Sequence, residues 1–280
     1  MTFEEIRARP GALVVNLLGD FSRSGGRELR LKSLVALGED LGVSGPTMRV
    51  TLARLRERGW FEVRREGRES VYRLSAVGVL AIHEGAQRIH SPAPDAWAGE
   101  WSMVVSSVPE GDRHTRDELR RQLVWHGFGL LAPATWIRPR PGFDDILTAT
   151  AELAAATLTT LTTRTSGLAA DRALAAACWD LGPLGLDYEA YVRELRARMP
   201  AYRQAALDGR TALVARIGLV HSYRRLAWRD PRFPADLQPA GWQGDEARRL
   251  FGQAHALLAE GSADYYRLVA EVDGKPVSID

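Results

Sequence analysis

The chain has 280 residues, 45% of them hydrophobic, which is enough to bury the cores of two or three domains. Charged residues make up 26% and the formal net charge is +2, ordinary for a globular protein, and no stretch is apolar for long enough to span a membrane as a helix. A single cysteine, Cys178, excludes an internal disulfide and a multi-cysteine zinc site; with no signal-peptide pattern, a cytoplasmic location is expected.

Charge is uneven along the chain. Residues 1–90 carry 15 Lys and Arg against 11 Asp and Glu, a net of +4, whereas the remainder holds 22 against 24, a net of −2. Ala12 to Leu18 reads as a short first helix. From Leu31, the spacing of Leu31, Leu34, Val35, Leu37 and Leu41 predicts a helix packed on a core. Gly42 stops it, Gly42-Val43-Ser44-Gly45 supplies a turn, Ser44 or Gly45 can cap the next helix, and Pro46 suits its first turn. In that second helix Met48, Leu52 and Leu55 share one face, while Pro46, Arg49, Val50, Ala53 and Arg54 fall on the other.

A surface needing only solubility would favour Glu and Lys. Here two arginines flank small apolar residues, a mixture suited to the major groove: Arg pairs bidentately with guanine, and a small apolar side chain touches a thymine methyl. Gly59 ends the helix, and Trp60–Val63 with Ser70–Leu74 predict a hairpin around Glu66-Gly67, with Arg64, Arg65 and Arg68 near its tip. Such a wing reaches phosphates or the minor groove. The expected DNA-contacting set is therefore Thr47, Arg49, Val50, Ala53, Arg54, Arg64, Arg65 and Arg68, on a winged helix-turn-helix.

Beyond the hairpin, Ser75 to His90 reads as a helix, and Ser91-Pro92-Ala93-Pro94-Asp95 as a linker. Trp101–Val108 predicts a strand, Arg113–Trp125 an amphipathic basic helix, Leu130–Ile137 a second strand, Asp144–Ala156 a helix and Thr157–Arg164 a further strand. This alternation is consistent with a ferredoxin-like domain. Tyr188–Met199 and Arg210–Ala227 predict helices separated by Pro200; Arg229–Gly244, with three prolines, predicts a loop, and Asp245–Tyr266 a closing helix. The expected fold class is α+β: a winged helix-turn-helix over 1–90, a linker over 91–98, a ferredoxin-like α/β domain over 99–185 and a mostly helical domain over 186–280.

The DNA-binding stretch is similar to the N-terminal domain of the PaaX family, bacterial repressors of phenylacetic acid degradation genes. Glu100-Trp101-Ser102-Met103-Val104-Val105 through Val108-Pro109-Glu110, then Arg113, Arg116, Leu119, Arg120, Leu123, Gly127-Phe128-Gly129 and Ala134-Thr135-Trp136-Ile137-Arg138-Pro139, resemble the family's central domain. His221-Ser222-Tyr223-Arg224-Arg225, Asp230-Pro231, Leu237-Gln238-Pro239 and Gly241-Trp242-Gln243-Gly244 resemble its C-terminal signature. The resemblance spans nearly the whole chain in the expected order. It implies a repressor of double-stranded operator DNA, a homodimer, and release by a small-molecule effector, an aromatic acyl-CoA thioester such as phenylacetyl-CoA.

His221, Tyr223, Arg224, Arg225 and Trp242 combine aromatic faces with cationic groups and form the candidate effector set. The alternative is structural: Arg224 or Arg225 pairs with Asp230, and Trp242 fills the domain core. No phosphate-binding glycine loop, GxSxG elbow or HExxH pair is present, and the first central strand ends in Ser106-Ser107 where a nuclease of this fold would need an acid. Neither an enzyme, a cofactor nor a metal is expected. The alternatives kept are a ligand-independent DNA-binding activator or architectural protein and, behind it, an acyl-CoA-acting enzyme with a regulatory winged helix.

Overall fold

The computed structural model describes residues 10–21, 28–90, 96–204 and 207–270. Among these, contacts gather 10–90, 190–227 and 246–270 into one unit, and 96–189 with 228–245 into a second. The expected linker at Ser91–Asp95 lies outside the described residues.

The first unit opens with α1 (Pro10–Phe21), whose Leu13, Val14, Leu17, Leu18 and Phe21 are buried. A three-residue strand β1 (Glu28–Arg30), too short to leave a periodic signal, leads into α2 (Leu31–Asp40) and α3 (Gly45–Glu57). The two helices approach so closely that a methyl group at Gly38 would come within 2.3 Å of Met48 Cε. The hairpin is longer than the sequence suggests, with β2 (Phe61–Glu66) and β3 (Glu69–Leu74) paired antiparallel around Gly67-Arg68, and β1 adds to β3 in the order β1-β3-β2. Gly67 has φ +59°, which the tight turn requires. Helix α4 (Ala76–His90) follows.

This small scaffold does not close its own core. Leu213, Ile217 and Tyr266, from α9 (Gly209–Ala227) and α11 (Ala259–Ala270), join the cluster formed by Leu13, Phe21, Leu34, Met48 and Leu52. The ring of Phe21 stacks on Tyr266 with centroids 4.5 Å apart.

The second unit is built on β4 (Trp101–Ser107), α5 (Arg113–Trp125), β5 (Gly129–Ala132), β6 (Thr135–Arg138), α6 (Asp144–Ala149) and β7 (Thr157–Thr163). All neighbouring strands run antiparallel in the order β5-β6-β4-β7, and the βαββαβ succession with this order is that of a ferredoxin-like fold. One correction concerns Leu130–Ile137, expected as a single strand. It is a hairpin, because Pro133 has no amide to donate and Ala134 turns the chain at φ +59°. The helix expected over Asp144–Ala156 stops at Ala149, and Thr150 instead returns its hydroxyl to the Ile146 carbonyl at 2.7 Å. Helix α7 (Leu168–Cys178) brings Ala175 against Trp101 and Ile137, with Phe233 and Leu237 from the proline-bearing loop completing the cluster.

The helix expected over Tyr188–Met199 and ended by Pro200 needs correction: α8 (Gly182–Arg203) carries Pro200 inside its last turn, where a missing donor breaks only one backbone bond. The closing helix is two, α10 (Gly244–Leu257) and α11, parted at Leu258, whose carbonyl receives the Ser262 hydroxyl at 2.5 Å. A 3-10 turn at Ala235–Leu237 interrupts the loop before α10.

Candidate nucleic-acid interface

Local chemistry fixes how α3 is presented. Gly42 turns the chain at φ +79°, Val43 is buried, and Ser44 sits in extended backbone as N-cap, its hydroxyl accepting from the Thr47 amide at 3.4 Å. Pro46 follows in the first turn, where no donor is wanted. Met48, Leu52 and Leu55 are buried, so the opposite face is forced outward by the 3.6-residue period. On it Thr47, Arg49, Val50 and Arg54 are exposed and Ala53 is half-buried. Val50 keeps 51% of its surface in water, an unfavourable setting for an aliphatic side chain on a free helix.

Among the described residues, neither Arg49 nor Arg54 forms an ion pair, and the same holds for Arg65 and Arg68 on the hairpin. Arg64 differs. Its guanidinium donates to Glu28 at 2.7 Å and also to Glu66, tying β1 to β2 across β3, and these two carboxylates raise its pKa above that of an ordinary arginine. Arg30 and Lys32 in turn hold Glu69, at 2.5 and 3.3 Å. An interlocked set of opposite charges thus runs along the hairpin as far as Glu66 and Glu69 beside the turn, and Arg65 and Arg68 stand exposed next to it. Sequence reading did not find this network, because Glu28 lies 36 residues from Arg64 and on a strand with no sequence signal.

The second candidate set divides. His221, Tyr223, Arg224 and Arg225 belong to α9 in the first unit, and Trp242 to the second. His221 and Tyr223 are buried and Arg225 is exposed. Asn16 of α1 joins two of them, its Nδ2 donating to His221 Nδ1 at 3.4 Å while its Oδ1 accepts from Arg224 Nη1 at 2.8 Å. Burial pushes the Arg224 pKa below the usual arginine value. Tyr223 stacks on Phe251 of α10 at 4.3 Å. In the second unit, Trp242 meets Tyr188 edge-on at 5.2 Å, and Tyr188 donates its hydroxyl to Asp230 at 2.8 Å.

One turn further along α1, Asp20 is the centre of a buried cluster that sequence reading missed. Arg216 Nε and Nη2 donate to its two oxygens at 2.5 and 3.2 Å, and His255 Nε2 lies 2.6 Å from Oδ1. Burial works against the charge of Asp20, yet the hydrogen bonds from His255 and Arg216 together hold its carboxyl below the usual carboxylate range. Asn16 and Asp20, four residues apart on α1, therefore make a polar seam with Arg216, His221 and Arg224 of α9 and His255 of α10. No group of three or more His, Cys, Asp or Glu able to hold a metal occurs among the described residues, and no described helix is long and apolar enough to cross a membrane.

Family models described as "PaaX-like protein", "PaaX protein central Cas2-like domain" and "PaaX-like protein C-terminal domain" match residues 9–78, 94–175 and 179–268. The Escherichia coli (strain K12) protein named "Transcriptional repressor PaaX" is 35% identical over 246 residues, covering 85% of this chain and 77% of that one. The chain belongs to the PaaX family. Among solved structures, it is similar to the "Uncharacterized protein Rv0674 from Mycobacterium tuberculosis", at 27% identity and a TM-score of 0.53, over 84% of this chain and 89% of that one. The Cas2-like description of the PaaX central domain agrees with the ferredoxin-like sheet order of the second unit.

Proposed function

We propose that this chain is a cytoplasmic transcriptional repressor that binds double-stranded DNA as a homodimer through a winged helix-turn-helix, α2–turn–α3 with the β2–β3 hairpin as wing. The observation that carries the reading is the outward face of α3: Arg49 and Arg54 without ion pairs, around an exposed Val50 and half-buried Ala53, on a helix whose start is fixed by Ser44. Thr47 stands beside the cap, where helix N-termini commonly meet phosphate. The name of the Escherichia coli relative supports repression. Two copies would read the half-sites of an imperfect palindrome, with Arg49 and Arg54 on bases and Arg65 and Arg68 on the backbone. Arg64 joins them only by leaving Glu28 or Glu66.

In this reading an aromatic acyl-CoA such as phenylacetyl-CoA releases the DNA by favouring a dimer whose half-site spacing no longer fits. His221, Tyr223, Arg224 and Arg225 of α9 are the residues proposed to hold it, and His221, Tyr223 and Arg224 must then exchange the protein partners described above for ligand. Those internal partners favour a second reading, DNA binding without a ligand.

The test starts from genomic fragments selected by the purified chain, whose common sequence defines the operator. Arg49→Ala and Arg54→Ala should each weaken operator binding by about 1–3 kcal/mol and relax discrimination against a scrambled duplex. Unchanged discrimination removes them from base reading. Phenylacetyl-CoA titrated into the complex should release DNA; persistent occupancy at saturating thioester selects the ligand-independent reading.

A further inference from the structure

Leu29, Phe61 and Leu74 turn one face of the first sheet to the core, and the two-residue period of a strand gives the other face a lattice of charge. Register puts Glu28, Arg73 and Glu62 in one row of it and Arg30, Val71 and Arg64 in the next, with Glu69 and Glu66 closing it beside the turn. Sign alternates along each edge strand, from Glu28 to Arg30 on β1 and from Glu62 through Arg64 to Glu66 on β2. Val71, between its two arginine neighbours, is only 4% exposed.

The row beside the turn breaks the pattern. Glu66 stands directly opposite Glu69, and like charges so placed destabilise a strand pair. Cations from other rows and elements offset the repulsion. Arg30 donates Nη1 to Glu69 at 2.5 Å and brings Nη2 to 3.7 Å from Glu66, Lys32 Nζ lies 3.3 Å from Glu69, and Arg64 donates to Glu66. Hydrogen bonds from Arg30 foremost, and from Lys32, hold the Glu69 carboxyl below its ordinary range, so it stays charged at neutral pH. These side chains keep between 29% and 52% of their surface in water, where an ion pair contributes little and exchanges readily for another.

A wing that meets DNA gains from cations and loses from carboxylates, so two opposed glutamates at its end need a reason. We propose that Glu66 and Glu69 compete with DNA phosphate for Arg30 and Lys32, and so set how much of the chain's affinity is blind to sequence. The inference rests on the winged-helix reading above. Phosphate contacts strengthen binding to operator and to other DNA alike, and other DNA is in vast excess. With Arg30 and Lys32 held by carboxylates, the wing meets the backbone through Arg65 and Arg68, and a larger share of binding falls to α3. A cation that trades a carboxylate for a phosphate adds little to the salt dependence of binding, whereas a freed one adds about one to its slope.

The test follows binding of the full chain to labelled operator and scrambled duplex by fluorescence anisotropy over a range of salt. Glu66→Gln with Glu69→Gln should bind both duplexes about two- to fivefold more tightly for each cation released, the worth of an exposed pair, and steepen the slope by about one to two. Glu69→Gln alone should show the same signs at smaller size, which keeps the test open if the double variant fails to fold by circular dichroism. Made on top of Arg30→Gln with Lys32→Gln, the two glutamine substitutions should lose most of their gain. An equal gain in that background means that the carboxylates only repel DNA, and overturns the competition. Folded glutamine variants that bind no more tightly than the parent overturn it as well. A parent that binds neither duplex refutes the winged-helix reading itself.

Discussion

Replacing Asp20 with alanine tests the seam that joins α1 to the C-terminal helices. The side chains of Asp20 and Arg216 are 5% and 9% exposed, so the substitution leaves a guanidinium inside the first unit with its carboxylate gone. Removing one partner of a buried pair costs about 3–5 kcal/mol, far above the 0–1 kcal/mol typical of exposed pairs. For a unit of this size that is a fall in melting midpoint of roughly 6–20 °C. Asp20→Leu with Arg216→Met removes both charges and should recover most of the loss, since what destabilises is the lone charge rather than the absent attraction. Urea denaturation followed by tryptophan and far-ultraviolet signals measures both variants. A loss under 1 kcal/mol for Asp20→Ala, or a double variant no better than the single, would refute the reasoning and mean that water reaches Arg216. The pH sign is fixed as well. Asp20 is held below its ordinary value of 3.8, so its contribution is full above that value and is lost as pH falls through the folded-state pKa.

Asp145 offers a parallel case in the second unit. Arg138, 2% exposed, donates Nη1 and Nη2 to its two oxygens at 2.7 Å each; partial burial opposes the charge of Asp145, yet hydrogen bonds from His126 and Arg138 and the charges of Arg138 and Arg140 hold its carboxyl far below 3.8. Asp145→Asn should lower stability near neutrality and flatten its fall in acid, so that parent and variant converge as pH drops below 3.8; curves that stay parallel throughout would reject the pairing. Ser44→Ala should cost about 1 kcal/mol by removing the cap of α3, measured by the same denaturation, with a cost indistinguishable from zero showing that the 3.4 Å contact contributes nothing. Arg65→Ala and Arg68→Ala should weaken operator and scrambled duplex alike and lower the dependence of log affinity on log salt by about one each; a slope equal to the parent's would take the hairpin tip off the phosphates.

The parts of the fold legible in the sequence are those whose signal is local. Ser44, Pro46, Met48, Leu52 and Leu55 bound and orient α3 within a dozen residues, and the amphipathic spacing of Arg113–Trp125 gives α5 its observed ends. Longer-range features left no such trace. Pro133-Ala134 reads as one residue pair inside an apolar run until the sheet order shows that the chain reverses there. The seam was hidden for a different reason: Asn16 and Asp20 are the polar exceptions in an apolar stretch, and their partners stand some 200 residues away. The His221-Ser222-Tyr223-Arg224-Arg225 motif attracted attention as ligand chemistry because its residues can bind anions and aryl groups. His221, Tyr223 and Arg224 also satisfy a nearer need, packing and hydrogen bonding within the first unit.

That arrangement constrains how a signal could reach α3. A ligand that moves a two-state protein from 1:99 to 99:1 must favour one state by about 5.5 kcal/mol. Splitting α1 from α9 would expose Leu13, Leu17 and Phe21, each costing about 1.5–3 kcal/mol, and would open the Asp20–Arg216 pair to water. The apolar cost alone is comparable with what the switch has to spend. A ligand acting on α9 therefore moves α1 with it, and since α1 packs on α3 through the same core, the reading helix follows as part of one body. Release by such a ligand would then alter the position of each reading helix while leaving its local structure intact. Hydrogen exchange in α3 should accordingly be the same with and without phenylacetyl-CoA in the DNA-free protein, whereas local melting of α3 on ligand binding would contradict a rigid linkage.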